Sequence, residues 1–205
     1  PRRFEVEFND IDLHAGQIVV RPTHLSICHA DQRYYQGVRP AEVLKEKLPM
    51  ALIHEGLGEV LYDPTGTYQC GDTVIMIPNT PCEKDEVIAE NYLRSSKFRA
   101  SGFDGFMQEH VALDIDRVVP VDDSIDKVIA AFTELVSVSV HAIRRFDSIA
   151  HKRRKAVGIW GDGNLGYITA IFFKAMFPNT KLYILGVDQE KLSGFSFTDD
   201  TFSVS

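Results

Sequence analysis

Four side chains of the types that bind zinc stand in or beside apolar stretches of the sequence: Cys28, His54, Glu55 and Glu134. A catalytic zinc takes thiolate, imidazole and carboxylate groups and keeps one position open for water or substrate. Burying an ionisable group is costly unless it is paired or coordinated. The spacing of the four matches no zinc-finger pattern, however, and Cys28 alone could be a small buried apolar residue. The residue types therefore permit a metal site without requiring one.

His54 and Glu55 are adjacent at the end of the apolar run LPMALI. Neighbouring side chains on an extended strand point to opposite faces, so both can reach one ion only where the strand breaks or bulges. Gly56 would permit such a break. Two interpretations stay open. In one, the strand ends here, His54 hydrogen-bonds a backbone carbonyl and Glu55 points into water. In the other a metal binds, with His54 as a ligand and with Glu55 either coordinating transiently or lying next to the ligands.

The segment GDGNLG matches a glycine-rich dinucleotide motif at Gly161, Gly163 and Gly166. It follows the apolar run AVGIW and opens an apolar helical stretch, which is the context that supports the match. The first glycine allows a tight turn, the second lets the backbone approach a pyrophosphate, and the third allows close helix packing. We predict a dinucleotide site formed by Gly161, Gly163, Asn164, Leu165 and Gly166.

The end of the following strand indicates which dinucleotide binds. A carboxylate at that position favours NAD because it binds the ribose hydroxyls. Here the position is Gly186, and Asp188 lies two residues further on. Glycine leaves room for a 2′-phosphate, and Lys191 could assist. We therefore expect NADPH rather than NADH.

The first two thirds of the chain are predicted to be rich in β-strands. Short β-branched runs separated by Gly, Pro, Asp and Asn predict a small barrel or sandwich. The runs are Gly16–Cys28, Leu57–Asp63, Gly71–Asn79, Phe106–Leu113 and Asp116–Asp122. A polar stretch over residues 80–104 interrupts them and includes a short predicted helix. Apolar residues at helical spacing predict a helix over Ser124–Phe146, capped by Ser124 or Asp126.

The last part of the chain has a different pattern. Ala156–Trp160 and Lys181–Gly186 are predicted buried strands on either side of a helix, a βαβ unit with a parallel sheet. We predict a mixed α/β chain, with a β-rich catalytic domain over residues 1–148. The first part of a Rossmann domain, a doubly wound parallel sheet, is predicted over residues 149–205. Two strands cannot bury both faces of a parallel sheet, so we expect the natural protein to be longer.

Composition narrows the class of function. The 205 residues are 44% hydrophobic and carry a net charge of -7, which argues against nucleic-acid and membrane-surface binding. No apolar run approaches the length that crosses a bilayer. The three scattered cysteines are too few for a disulfide framework. We expect a cytoplasmic protein.

The order of several segments resembles a known family. SICHADQRYYQG, LPMALIHEGLGEV, QCGDTVIMIPN, DGFMQEHV, TELVSVSVHAI and GIWGDGNLG follow one another as they do in zinc-dependent medium-chain dehydrogenases. That family has a GroES-like catalytic domain followed by a Rossmann domain. Within it, LPMALIHEG, IPNTP, AENYL and TELVSVSVHAIRRF are similar to the ribulose-5-phosphate reductases (ribitol-5-phosphate dehydrogenases).

This resemblance implies a function. The expected reaction is the NADPH-dependent, zinc-assisted reduction of D-ribulose 5-phosphate to D-ribitol 5-phosphate, which supplies CDP-ribitol for teichoic acid or capsule. The expected partners are a small sugar phosphate and a second copy or more of the chain, as a homodimer or homotetramer, with a cytidylyltransferase acting alongside. One alternative is a zinc polyol or alcohol dehydrogenase that uses NAD on an unphosphorylated substrate. Another is an inert truncated fragment or binding module.

The resemblance also implies roles for individual residues. Cys28, His54 and Glu55 match the metal-site motifs of the family, and Glu134 stands where polyol-type members have a glutamate. Asp31 matches an aspartate that orients a ligating imidazole and raises its basicity. The implied catalytic set is therefore Cys28, His54, Glu55 and Asp31, with Glu134 as a further metal ligand.

The sequence departs from the family pattern at two places, and these departures limit which residue roles the resemblance implies. Many relatives hold a structural zinc with four cysteines in the region matching residues 80–104, where this chain has only Cys82. One catalytic zinc per subunit is therefore implied. The position of the usual hydroxyl proton relay is Ala30, which leaves water, His29 and Tyr35 as alternatives. The phosphate contact also stays open among four cations: Arg39, Lys97, Arg99 and Arg144.

Overall fold

A computed structural model describes residues 1–204 of the chain. The chain divides into two compact units, an amino-terminal unit of Pro1–Glu134 and a carboxyl-terminal unit of Leu135–Ser205. The domain boundary expected from the sequence was 148/149. The two positions differ by nearly the length of one long helix, Thr133–Ile149, which begins just before the boundary between the units.

The amino-terminal unit is built on an antiparallel sheet. Its strands are β1 (Gln17–Ser26), β2 (Glu55–Tyr62), β3 (Thr73–Met76), β4 (Asn79–Thr80), β5 (Lys97–Phe98), β6 (Val111–Asp114) and β7 (Val118–Pro120). Five of them form a sheet in the order β6-β1-β2-β3-β7, while β4 and β5 form a separate pair. Along β3, β6 and the first half of β1 every second residue is buried, as the period-two pattern predicts, whereas the first four residues of β2 are all buried. The resulting core contains Ile18, Val20, Val60, Val74, Met76, Phe106, Val111, Leu113 and Val118.

Helices in this unit are short. They are α1 (His29–Gln36), α2 (Ala41–Lys47) and α3 (Lys127–Ala130), with 3₁₀ turns at Glu90–Tyr92 in the polar stretch and at Ile115–Arg117. The helix predicted over Ser124–Phe146 is in fact two helices, α3 and α4 (Thr133–Ile149). Asp126 caps the first, because its Oδ1 accepts from the backbone N–H of Val128 at 2.8 Å. Ser124 does not cap it.

The carboxyl-terminal unit contains the predicted βαβ arrangement. Its strands are β8 (Ala156–Trp160), β9 (Lys181–Gly186) and β10 (Asp200–Ser203), which are parallel and lie in the order β10-β9-β8. Helices α5 (Asn164–Met176) and α6 (Gln189–Ser193) connect them. The core of the unit contains Ile143, Ala170, Phe173, Leu182, Ile184, Leu192 and Phe195. The mixed α/β prediction is thus confirmed.

Strand β8 corrects one expectation. It was predicted to be a buried strand, and within residues 1–204 one of its faces is exposed: Ala156, Gly158 and Trp160 lie on it, and Trp160 is 74% exposed. Only Val157 and Ile159 pack against the core, because the helical side chains of that core lie on their face of the sheet. No helix within residues 1–204 combines the length and apolarity needed to cross a membrane.

Candidate active site

Three potential metal ligands converge in the amino-terminal unit. One donor atom each from Cys28, His54 and Glu55 lies within 4.8 Å of the other two. Nε2 of His54 lies 3.5 Å from the Cys28 sulfur and 3.9 Å from Oε1 of Glu55. The His54 side chain is 12% exposed and that of Glu55 is 1% exposed. The cluster is therefore compact and almost closed to water.

A break in the chain before β2 lets His54 and Glu55 face the same point. Ile53 has a φ of 70°, in the left-handed region that a β-branched residue rarely adopts. Strand β2 begins only at Glu55, so His54 is not part of the alternating strand pattern. The expected break at Gly56 is wrong. Glycine is needed there because a Cβ would lie 2.7 Å from the backbone carbonyl oxygen of His24 on the paired strand β1.

Backbone hydrogen bonds hold Ile53 in this conformation. Its N–H donates to Oδ1 of Asp31 at 2.9 Å, and its carbonyl accepts from the N–H of Phe106 at 2.6 Å. A Cβ on Gly105 would collide with the Ile53 carbonyl oxygen, so the two segments approach as closely as backbones allow. The strained residue is thus fixed from both sides, as is typical of functional sites.

Asp31 connects the three parts of the cluster. Its Oδ2 accepts from the backbone N–H and from the thiol of Cys28, both at 3.1 Å. Its Oδ1, besides accepting from Ile53, lies 3.7 Å from Nδ1 of His54. The imidazole thus presents Nε2 to the other donors and Nδ1 to Asp31, the arrangement that orients a metal-bound histidine. The positioning role of Asp31 stays a prediction that this geometry supports.

Unpaired polar atoms test whether the cluster suits a metal. Within residues 1–204, Nδ1 of His54 and Oε2 of Glu55 are buried and have no hydrogen-bond partner. A buried carboxylate oxygen without a partner is costly unless a cation compensates it. Thiolate, imidazole and carboxylate are also the donors that zinc prefers. The residues therefore fit a zinc ion.

Glu134 lies outside this three-residue group. It is the second residue of α4 and is half-buried. Burial, followed by the charges of Glu55 and Asp31, raises the pKa of its carboxyl to about 7. Glu134 is therefore near enough to the cluster to sense its charges. Its role as a metal ligand stays a prediction.

The raised pKa of the Cys28 thiol leads to a prediction of how zinc affinity depends on pH. Burial, followed by the hydrogen bond to Asp31, raises the pKa of this thiol to about 12. Zinc binds the thiolate, so it must displace the proton, and the apparent affinity should rise about tenfold per pH unit between about pH 7 and 9. Competition titrations with a chromophoric chelator measure this slope. An affinity that does not change with pH would show that no thiol is deprotonated on binding.

A second prediction concerns Asp31. Asp31→Asn keeps one acceptor oxygen but removes the charge beside His54, and we expect zinc affinity to fall by about 10–100-fold. Asp104→Asn is a matched control, because Oδ1 of Asp104 accepts from the N–H of Ala51 in the same loop at 2.7 Å. The control should keep the wild-type affinity in the same chelator titration. Equal losses in both variants would mean that Asp31 only supports the loop.

The glycine-rich turn has the geometry that its motif predicts. Gly161 has a φ of 136°, which favours glycine, and its N–H donates to the carbonyl of Leu185 at 2.8 Å. Gly163 is the N-cap of α5, so the helix begins at Asn164 with its free N–H groups facing the turn. A Cβ on Gly166 would collide with the carbonyl oxygen of Gly161, whereas a Cβ on Gly163 meets nothing within 4 Å. The open side of the turn is therefore at Gly163.

The four candidate cations for a substrate phosphate differ in their partners and in their exposure. The guanidinium of Arg99 donates to the carbonyls of Asp104 and Ala112 at 3.1 and 2.7 Å, which indicates a structural role. The guanidinium of Arg39 lies over the Tyr34 ring, 4.4 Å from its centroid. Lys97 and Arg144 are exposed.

Sequence reasoning missed one neighbour of the cluster. The ring of Phe98 meets the His54 imidazole edge-on, with 5.2 Å between centroids. Phe98 belongs to the two-residue strand β5 within a polar stretch, where no periodic pattern exists to reveal it.

Of the proton-relay candidates, His29 is exposed and the Tyr35 ring stacks on Phe4.

Comparisons with known proteins agree with this geometry. The family model for the alcohol dehydrogenase GroES-like domain matches residues 14–123. The chain is 56% identical over 205 residues to ribulose-5-phosphate reductase 1 of Staphylococcus aureus, covering 100% of this chain and 60% of that protein. It is 54% identical over 204 residues to ribulose-5-phosphate reductase of Bacillus spizizenii, again covering 100% of this chain and 60% of that protein.

A solved structure extends the likeness to three dimensions. The crystal structure of S. aureus TarJ in complex with NADPH superposes with a TM-score of 0.81 at 48% identity, covering 100% of this chain and 57% of that chain. The chain thus spans about 60% of the length of the curated relatives it matches. Because the family model covers more than half of the chain, the family expected from the sequence is confirmed. The chain belongs to the alcohol dehydrogenases with a GroES-like domain, within the medium-chain dehydrogenase superfamily.

Proposed function

We propose that the protein containing this chain is an NADPH-dependent, zinc-assisted reductase that converts D-ribulose 5-phosphate to D-ribitol 5-phosphate. The observation that carries the proposal is the convergence of Cys28, His54 and Glu55 on one point, with a buried Glu55 oxygen that lacks a partner among residues 1–204. The identity of 56% to a ribulose-5-phosphate reductase supports the choice of substrate.

The cluster residues have separate tasks in this reaction. Cys28, His54 and Glu55 would hold the zinc ion, which as a Lewis acid polarises the substrate carbonyl when bound. Asp31 holds the backbone of Cys28 through the Cys28 N–H and faces Nδ1 of the His54 ring. The ring of Phe98 covers one edge of the imidazole and helps to exclude water. Glu134, whose carboxyl is half-buried and senses the charges of Glu55 and Asp31, would be a further ligand of this ion.

The glycine-rich turn would bind the cofactor. Gly163 leaves its surroundings open, so the backbone at the start of α5 can approach a pyrophosphate. NADPH supplies the hydride when bound, while the protein positions it against the substrate. The crystal structure of TarJ with NADPH supports this choice of cofactor.

Steady-state kinetics test the proposed reaction. The protein containing this chain is assayed with NADPH or NADH and with D-ribulose 5-phosphate or D-fructose, and in the reverse direction with sorbitol. We expect fast turnover only with NADPH and ribulose 5-phosphate. Fast turnover confined to NADH and unphosphorylated substrates, with oxidation of sorbitol by NAD, would contradict the proposal and favour a polyol dehydrogenase.

We further propose that the protein acts in the cytoplasm as a homodimer or homotetramer, next to a cytidylyltransferase that uses its product. The chemistry supports the last part, since a sugar-alcohol phosphate is what a cytidylyltransferase activates. Light scattering coupled to size-exclusion chromatography measures the assembly. A monomer at micromolar concentration would contradict the proposed oligomer.

A further inference from the structure

We propose that Asp162 and Gly186 act as a coupled pair that determines which nicotinamide cofactor binds, an inference that rests on the proposed function. Asp162 stands between the first two glycines of the glycine-rich turn, and Gly186 is the last residue of β9. The carboxyl ends of β8 and β9 are neighbours in the parallel sheet. Dinucleotides bind at this edge in doubly wound sheets.

The carboxylate of Asp162 ties the ends of the two strands together. Its Oδ2 accepts from the backbone N–H of Val187 at 2.8 Å and from that of Asp188 at 2.7 Å. These hydrogen bonds, first that from Asp188, lower the pKa of the Asp162 carboxyl. The turn after β9 is therefore held by a side chain that comes from the turn after β8.

Gly186 is a glycine because Asp162 fills the space beside it. A Cβ on Gly186 would lie 2.6 Å from both Cβ and Oδ2 of Asp162. The backbone φ of Gly186 is not in the region that favours glycine, so the requirement is one of space. The space that a side chain at position 186 would occupy is thus already filled by Asp162. A side chain at position 186 and Asp162 exclude each other.

The other acidic side chain at this edge is also engaged. Oδ1 of Asp188 accepts from the N–H groups of Glu190 and Lys191 at 3.0 and 3.2 Å and so caps α6. Its Oδ2 lies 3.4 Å from the Lys191 ammonium. Asp162 fills the space that a carboxylate at position 186 would need in order to bind the ribose hydroxyls of NADH. Asp162 is thus a positioning residue: it holds the turn after β9 and leaves no space for a side chain at position 186.

A double-mutant cycle on cofactor binding tests the coupling. Titrations that follow nicotinamide fluorescence give the Kd for NADPH and NADH in the wild type, Asp162→Ala, Gly186→Asp and the double variant. We expect Gly186→Asp alone to weaken NADPH binding without improving NADH binding, because Asp162 fills the space that the new carboxylate needs in order to reach the ribose. The double variant should bind NADH at least tenfold more tightly than Gly186→Asp does.

Outcomes of the cycle are separable from those of the proposed function. If Gly186→Asp alone switches to NADH as fully as the double variant, the two positions act independently and the inference is wrong. A wild type that prefers NADH contradicts the proposed function instead. Asp162→Asn keeps the acceptor oxygen and should keep the wild-type preference.

Thermal unfolding tests the coupling between positions 162 and 186 even if one of the variants folds poorly. Gly186→Ala should lower Tm by several degrees, and Asp162→Ala in the same chain should restore part of that loss. Additive losses in Tm would contradict the coupling even if the Gly186→Asp variant cannot be purified.

Discussion

Replacing Cys28 with serine is expected to lower the zinc content of the protein from one ion per chain to near zero. A hydroxyl is a poor substitute for a thiolate, and the two remaining donors, His54 and Glu55, then face an incomplete site. Elemental analysis after dialysis measures the content. Cys70→Ser and Cys82→Ser are matched controls, since both thiols are exposed, and they should keep one zinc ion. Retention of zinc in Cys28→Ser, or its absence from folded wild type, would contradict the assignment.

Two substitutions in the glycine-rich turn are expected to affect different properties, one the stability of the protein and the other its affinity for NADPH. Gly166→Ala places a Cβ against the Gly161 carbonyl oxygen, which neither backbone can avoid, and should destabilise the carboxyl-terminal unit by about 1–3 kcal/mol or more. Gly163→Ala meets open space and should keep the wild-type Tm, yet it should weaken NADPH binding at least tenfold because its Cβ projects into the approach of the pyrophosphate.

Thermal unfolding and NADPH titration of both variants measure these effects. The expected pattern is a large loss of Tm for Gly166→Ala and a loss of affinity without a loss of Tm for Gly163→Ala. Unchanged NADPH affinity in Gly163→Ala would show that the dinucleotide does not approach this turn.

Strands β8 and β9 were predictable to the residue because each is a compact apolar run bounded by polar or glycine positions. Strand β10 was not, because its sequence DTFS is short and polar, and it forms by pairing with β9. Helix α1 was also missed. Its sequence HADQRYYQ has little apolar periodicity, and Asp31 and Tyr34 are its buried residues.

The donor residues of the site could be named from the sequence, but the way they meet could not. Two adjacent side chains were expected to diverge, and a glycine was expected to solve the problem. The solution is instead the left-handed Ile53, which is held by Asp31 and Phe106 from distant parts of the chain. Local propensity opposes that conformation, so only tertiary hydrogen bonds explain it.

The end of strand β9 gives a second example of a contact that the sequence alone could not predict. Gly186 was interpreted as room for a phosphate, because a sequence shows that a side chain is missing without showing what occupies its place. Asp162 occupies it, from a turn more than twenty residues earlier. The contact depends on the parallel pairing of β8 with β9, which brings the two strand ends side by side.

X-ray absorption at the zinc edge of the purified protein tests the central assignment most directly. Coordination through Cys28, His54 and carboxylate oxygen predicts one sulfur at about 2.3 Å, with the remaining ligands nitrogen or oxygen at about 2.0–2.2 Å. A zinc shell without sulfur, or one with several sulfur ligands, would contradict the account.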